Sequence, residues 1–161
     1  MKTGKNKPLI IAVIICALVL AVIIVVFAFL DCWIGYAKLG KIRREIAECD
    51  EILITSPLYY DAYSSGAEAS VGGDEAKKLV SDFLDVSEKK SYDGTVGGGV
   101  GFWDTRIIFY VGEEIFTVYV KDDSFYVTGK NGYLFIPDDT EAYSQFYSDV
   151  CDLLEREGIT I

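Results

Sequence analysis

Residues 105–136 have the sequence TRIIFYVGEEIFTVYVKDDSFYVTGKNGYLFI, and this stretch decides the fold of the chain. It contains four runs of β-branched and aromatic residues, which favour strands. The runs are separated by three pairs of turn residues, which are Gly112-Glu113, Asp122-Asp123 and Asn131-Gly132. An Asn-Gly pair between two such runs is a strong signal for a hairpin with a two-residue turn. The pattern therefore predicts a four-stranded antiparallel meander.

Tight turns also predict which residues of the meander lie opposite one another. Two-residue turns give three opposed pairs, which are Phe109 with Phe116, Val120 with Phe125, and Val127 with Ile136. Opposed residues share a face of the sheet. One face is then apolar throughout, and it consists of Ile107, Phe109, Val111, Phe116, Val118, Val120, Phe125, Val127, Leu134 and Ile136. We expect helices to cover this face.

The opposite face of the meander is predicted to be aromatic, with Tyr119 and Tyr126 as a direct cross-strand pair. Its members are Ile108, Tyr110, Ile115, Thr117, Tyr119, Tyr126, Thr128, Tyr133 and Phe135. Tyrosine combines a large apolar ring with a polar tip, which suits it to interfaces. We therefore predict that a protein partner binds this face through Tyr110, Tyr119, Tyr126, Tyr133 and Phe135. The alternative is that the tyrosine-containing residues 58–73 cover it.

The sequence before the meander predicts strands and one helix. Residues 50–55 are typical of a short strand, and a second strand is indicated around residues 67–71. Asp74 is suited to cap a helix whose apolar side chains recur at helical spacing and which ends near Val86.

Two further segments complete the predicted fold. The glycine-dense residues 93–101 indicate a flexible loop or a bulged edge strand. A second helix is predicted over residues 139–157, with Asp138 and Glu141 spaced as a capping box and Gly158 as its stop. The predicted class is α+β, with the order β(β)–α–ββββ–α.

An apolar segment near the N-terminus predicts a membrane anchor. Residues 9–30 form a run of 22 uncharged side chains, which as a helix spans roughly 33 Å and exceeds a hydrocarbon core of about 30 Å. A cleaved signal peptide has a shorter apolar region, so we expect an uncleaved single-pass anchor. The predicted organisation is a basic tail at 1–7, a transmembrane helix at 8–30 that contacts the lipid bilayer, a juxtamembrane helical stalk at 31–49 and an acidic α+β domain at 50–161.

The lysines and arginines that flank the anchor predict its orientation. Lys2, Lys5 and Lys7 lie directly before the apolar run, whereas four basic residues follow at eight or more positions after Leu30. Charges close to the helix end have the larger effect on topology. We therefore expect the N-terminus in the cytoplasm and the domain outside the cell membrane.

The stalk has an apolar stripe of its own. Leu39, Ile42, Ile46 and Cys49 recur at spacings of three, four and three residues, which is typical of one helix face. Two interpretations remain open. The stripe pairs with another helix, or the segment is an amphipathic spacer whose basic face lies against anionic headgroups.

The charge of the chain is divided between its two parts. Residues 1–49 hold seven Lys/Arg and three Asp/Glu, whereas residues 50–161 hold eight and 22, which gives net charges of +4 and −14. Nucleic acid needs basic partners for its phosphates. The acidic domain therefore argues against nucleic-acid binding.

The composition also argues against catalysis. The chain has no histidine, which excludes Ser-His-Asp and Cys-His catalysis and His-ligated metal sites. The acidic pairs lie at predicted turns and a helix cap, where carboxylates are solvated and lack the apolar pocket that a glycosidase acid requires. We therefore predict no catalytic residues, no metal and no cofactor.

Two of the four cysteines flank the predicted domain. Cys49 and Cys151 could form a disulfide if the domain is extracytoplasmic. The alternative is that Cys151 only packs within the last helix.

Three functional hypotheses follow from these observations. The first is a membrane-anchored, extracytoplasmic, non-catalytic binding or accessory domain. The second is an inhibitor or immunity-type protein that neutralises a basic partner with its acidic surface. The third is a surface hydrolase that uses carboxylates.

Overall fold

The computed structural model describes residues 7–55, 68–96, 105–127 and 132–159. These residues form an α+β fold, which confirms the predicted class. The helices are α1 (Lys7–Glu45), α2 (Gly73–Val86) and α3 (Thr140–Arg156), with a short 3-10 helix at Ile46–Glu48. The strands are β1 (Glu51–Thr55), β2 (Glu68–Gly72), β3 (Lys90–Val96), β4 (Thr105–Val111), β5 (Glu114–Val120), β6 (Phe125–Val127) and β7 (Gly132–Pro137). The chain divides into two compact units, residues 1–34 and 35–161.

The first unit is the greater part of one long apolar helix. Large apolar side chains from Ile10 to Leu30 are 44–73% exposed. The helix is long and apolar enough to anchor in a membrane, a property that it shares with signal sequences. β-Branched residues are poor helix formers in water, but a bilayer forces the backbone to satisfy its own hydrogen bonds.

The second unit contains a seven-stranded antiparallel sheet in the order β2-β1-β4-β5-β6-β7-β3. Strands β4 to β7 are neighbours in chain order, and β1 and β2 extend the sheet on the β4 side. The predicted element order is wrong at β3, which pairs with β7 as the opposite edge strand. Its register shifts between Tyr92 and Gly94, and the φ of +143° at Gly94 suits glycine. Residues 93–96 thus match the bulged-edge alternative, and residues 97–101 lie outside the described part of the chain.

The hairpin registers agree with the sequence for two turns and disagree for the third. Phe109 lies opposite Phe116 and Val120 opposite Phe125, as predicted. Val127, however, lies opposite Tyr133 and not Ile136. Residues 128–132 separate this pair, so the connection is longer than the predicted two-residue turn. The observed partner of Val127 lies three residues from the predicted one. Because side chains alternate along a strand, a shift by an odd number of residues moves each side chain of β7 to the opposite face of the sheet.

The altered register corrects four residue assignments on β7. Tyr133 and Phe135 lie on the face that the helices cover, whereas Leu134 and Ile136 lie on the other face. Phe135 is fully buried and Ile136 is 39% exposed, which agrees with the exchange. The apolar face is therefore as predicted up to Val127. On β7 it is formed by Tyr133 and Phe135 in place of the predicted Leu134 and Ile136.

Helices α2 and α3 pack on this face of the sheet. The ring of Phe83 on α2 lies 5.9 Å from that of Phe109, 5.4 Å from that of Phe125 and 5.9 Å from that of Phe146 on α3. Both caps differ slightly from prediction. Gly72, without a side-chain bond, precedes α2 in place of Asp74. Asp139, not Asp138, caps α3 by accepting a hydrogen bond from the backbone N–H of Ala142 at 3.0 Å.

The end of α1 belongs to the core of the second unit. Leu39, Ile42, Ile46 and Cys49 are all buried there. The compact unit thus begins well before residue 50, and the predicted stripe packs against the unit's own sheet. The rings of Tyr36 and Phe135 lie 5.4 Å apart, and a Cβ at Gly35 would lie 3.0 Å from Cδ1 of Tyr133. Neither interpretation of the stalk anticipated this packing.

Candidate functional site

The five residues predicted to bind a partner do not form one surface. Tyr133 and Phe135 are buried beneath the end of α1, on the helix-covered face. Tyr110 and Tyr119 are half-buried on the opposite face, where Tyr126 is 1% exposed. Thr128, predicted for the same face, lies outside the described residues, as does the 58–67 part of the segment predicted to cover it. Residues 68–72 form β2.

The predicted pair of Tyr119 and Tyr126 is confirmed. The two residues lie directly opposite each other on β5 and β6. Their rings stack with centroids 5.1 Å apart and an interplanar angle of 3°. This stacking holds the Tyr126 ring in one orientation on the face opposite α2 and α3.

Tyr126 also lines a cavity of about 750 Å³. Three elements bring polar side chains to it. The β5–β6 turn supplies Lys121, Asp122, Asp123 and Ser124, the β3 bulge supplies Asp93, and the first turns of α3 supply Thr140 and Ser144. Leu134, Ile136, Pro137 and Tyr143 provide apolar lining. Polar and charged side chains thus outnumber apolar ones in the lining, so the cavity suits a polar ligand better than an apolar one.

The hydroxyl of Tyr126 is buried and has no hydrogen-bond partner among the described residues. Buried polar groups are nearly always paired, so an unpaired one calls for an explanation such as a bound water or ligand. The Nζ of Lys121 lies 5.9 Å from the centroid of the Tyr126 ring, within cation–π distance.

The second tyrosine of the cavity has a different role. The hydroxyl of Tyr143 donates a hydrogen bond to the backbone oxygen of Ser124 at 2.5 Å. Burial raises the pKa of this phenol, so it stays neutral and holds the β5–β6 turn against α3. The backbone N–H of Lys121 donates to the oxygen of Ser124 at 2.8 Å and closes the same turn.

The charge at the cavity is acidic. Three carboxylates, from Asp93, Asp122 and Asp123, stand against the single ammonium of Lys121. No group of three or more His, Cys, Asp or Glu side chains in the described part of the chain is arranged to hold a metal ion. The excess of carboxylates favours an organic cation, such as an amine or a guanidinium, over an anion.

The cysteines are free thiols in the structure, including Cys49 and Cys151. The Sγ of Cys49 lies 3.1 Å from the backbone oxygen of Glu51 and 3.4 Å from that of Tyr110, so its one S–H has two acceptors within reach. Burial raises the pKa of both thiols. Because the thiolate is the reactive form, neither cysteine is activated as a nucleophile.

Comparison of the chain with protein-family models, with curated proteins and with solved structures finds no match.

Proposed function

We propose that this protein is a membrane-anchored, non-catalytic binding domain, which α1 tethers to the bilayer with the domain on the extracytoplasmic side. The observation that carries the binding role is the cavity lined by Tyr126, where three carboxylates stand against one ammonium. The buried Tyr126 hydroxyl, which has no partner among the described residues, supports a ligand there. The ligand group that suits this site carries a positive charge and can hydrogen-bond to a phenol.

The exposed apolar surface of α1 supports the anchoring. Side chains such as Phe27 and Phe29, 65% and 73% exposed, would face water in a soluble protein. Soluble monomers rarely expose apolar patches of that size, and a membrane is a common reason for them. Lys2, Lys5 and Lys7, which precede the apolar run, support a cytoplasmic N-terminus.

The raised thiol pKa values and the absence of histidine from the sequence support a non-catalytic role. The acidic charge of residues 50–161 favours a second candidate function within the same class of chemistry. In that version the protein neutralises a basic protein partner, one of whose Lys or Arg side chains enters the cavity. The two candidate functions use the same cavity. They differ in the ligand, which is a small cationic molecule in the first and a basic protein in the second.

Photocrosslinking in intact cells can test the binding role. Ser144 lines the cavity and Ser148 is exposed one turn further along α3, so the same photoreactive residue at the two positions forms a matched pair. We expect an adduct from position 144 that position 148 does not form, and we expect Tyr126→Phe to remove it. Equal adducts from both positions, or an adduct that survives Tyr126→Phe, would reject the cavity as the binding site. A small amine and a basic protein give adducts of different mass.

A further inference from the structure

Two aromatic residues follow the apolar run, Trp33 near the end of the first unit and Tyr36 at the start of the second. Trp33 is 71% exposed and Tyr36 is 37% exposed, and these residue types concentrate where hydrocarbon meets water. Lys38 follows Leu30 by eight residues. At a helical rise this is about 12 Å of chain, so the lysine side chain can reach the headgroup layer whatever the angle of the domain.

Five basic side chains are concentrated near this end of the unit. We call them the basic collar, which consists of Lys38, Lys41, Arg43 and Arg44 on α1 and of Lys90, whose Nζ lies 5.6 Å from the centroid of the Tyr36 ring. Burial, followed by the nearby positive charge of Arg43, lowers the pKa of Lys90. Arg43 and Lys90 are thus close enough for their charges to interact, although the domain as a whole is strongly acidic.

The arginines of the collar border a cavity of about 410 Å³, together with Gly40 and Leu84. One terminal nitrogen of Arg43 donates to the backbone oxygen of Leu84 at 2.9 Å, which fixes the guanidinium. Its Nε is buried and has no partner among the described residues. A guanidinium with unused donors beside a second arginine is suited to a phosphate, which accepts several hydrogen bonds at once.

The lysines of the collar border a second, smaller cavity of about 220 Å³. Lys38 and Lys41 lie there beside Ile115, which is 62% exposed. The Nζ of Lys41 is 3.3 Å from a carboxylate oxygen of Glu114, but both side chains are largely exposed and such a pair is weak. Two ammonium groups beside an exposed apolar side chain suit a ligand with a phosphate and a hydrocarbon chain.

We propose that the basic collar binds the phosphates of anionic phospholipids in the leaflet on the domain's side of the membrane. The inference rests on the proposed anchoring of α1 and is independent of the Tyr126 cavity. Arg43 and Arg44 hold one headgroup phosphate, and Lys38 and Lys41 attract a second. Charges that oppose lipid binding include Glu114, beside Lys41, and Glu88 and Asp138, which act on Lys90. Glu45 follows Arg44 directly in the sequence and adds to them. Leu84 and Ile115 contribute apolar contact.

The test uses the full chain in nanodiscs of phosphatidylcholine alone or with one third phosphatidylglycerol. The measurement is the rate at which an amine reagent modifies Lys38, with the exposed Lys77 on α2 as internal control. We expect the anionic lipid to slow modification of Lys38 several-fold relative to Lys77. High salt should remove the difference, because surface charges are screened. Inorganic phosphate added to the neutral discs should not reproduce the protection.

The matched variants are Arg44→Gln and Lys77→Gln. Arg44 is exposed and has no hydrogen bond or ion pair among the described contacts, so its loss should leave the fold intact. Each collar charge contributes on the order of a fivefold gain in lipid affinity. We expect Arg44→Gln to weaken the protection and Lys77→Gln to preserve it. Protection that is equal in both lipids, or that phosphate reproduces, would overturn the collar as a lipid site. Failure of the chain to enter either nanodisc would instead reject the anchor.

Discussion

The ring of Tyr36 packs edge-on against the ring of Phe135, with the two centroids 5.4 Å apart and the planes at 62°. This contact joins the end of the long N-terminal helix to the β7 strand of the sheet. It also explains why an aromatic strand that resembles a binding surface in the sequence is buried. The surface is already occupied by the chain's own helix.

The burial of Leu39 predicts that the end of α1 stabilises the domain. Leu39→Ala should lower the free energy of unfolding by about 2–5 kcal/mol, because it removes a buried side chain and leaves a cavity. The exposed neighbour Ala37 is the control, and Ala37→Ser should cost less than about 0.5 kcal/mol. The measurement is denaturant unfolding of the full chain in mild detergent. Similar losses at both positions would contradict the packing of α1 on the sheet.

The register of β7 gives a second prediction. Phe135→Ala should cost about 3–5 kcal/mol, whereas Ile136→Ala should cost far less because its side chain is partly exposed. If the predicted two-residue turn were correct, Ile136 would be the buried residue. Ile136→Ala would then cost more stability than Phe135→Ala. Comparing the unfolding midpoints of the two variants decides between the registers.

The two tyrosines of the cavity should respond oppositely to removal of the hydroxyl. Tyr143→Phe loses a hydrogen bond and leaves the Ser124 carbonyl without that donor, which should cost about 1–3 kcal/mol. Tyr126→Phe removes a buried hydroxyl that has no partner and should leave stability unchanged or raise it. Thermal unfolding of both variants without ligand provides the test. A clear loss of stability in Tyr126→Phe would mean that its hydroxyl is paired within the protein.

An ion pair between α2 and α3 predicts a dependence on pH. The Nζ of Lys78 lies 2.7 Å from a carboxylate oxygen of Asp149, and its hydrogen bond lowers the pKa of Asp149 below the ordinary 3.8. The Asp149 carboxylate therefore binds a proton less tightly in the folded state than in the unfolded state. The ion pair contributes its full stabilisation at pH values above the ordinary pKa. It is lost as the pH falls through the lower, folded value.

The comparison for this prediction is the wild type with Asp149→Asn. Between pH 7 and pH 3 the wild type should lose slightly more stability, by less than about 1 kcal/mol, since the lysine is largely exposed. Equal acid dependence of the two proteins would mean that the pair contributes nothing measurable.

The proposed orientation predicts the result of proteolysis. Protease added to intact cells, after removal of any cell wall, should degrade residues beyond the anchor and leave a short N-terminal fragment. A tag at each end of the chain identifies the surviving part. Protection of the C-terminal tag until the membrane is permeabilised would place the domain in the cytoplasm.

The parts of the fold that the sequence predicts correctly are those that local rules determine. Alternation of apolar residues and short turns specify the β4, β5 and β6 registers, because each pairing depends on neighbouring residues. The Asn131-Gly132 pair predicts the wrong register for β7. A local turn signal indicates a two-residue turn, but it cannot show that the connection between β6 and β7 has more than two residues. The sequence leaves residues 93–96 open between a loop and a bulged edge strand, because Gly94 and the glycines after it suit both, and the pairing with β7 distinguishes the two.

The candidate site was less predictable than the fold. Tyr126 was identified from its place in the meander, but Asp93 and Ser144 come from elements far apart in the sequence. The stripe of Leu39, Ile42 and Ile46 shows that a helix face is buried and does not show what buries it. Such information exists only in the tertiary structure.

The close approach of Gly35 to Tyr133 shows that the packed part of the domain already begins at Gly35. This start decides which fragment can be produced in water-soluble form. A fragment that starts at residue 50 lacks Leu39, Ile42 and Ile46, so the apolar sheet face under them would be open to solvent and to other copies. Such a fragment should aggregate on expression. A fragment that starts a few residues before Gly35 retains the covering helix and omits the apolar run, and is therefore the form suited to crystallisation.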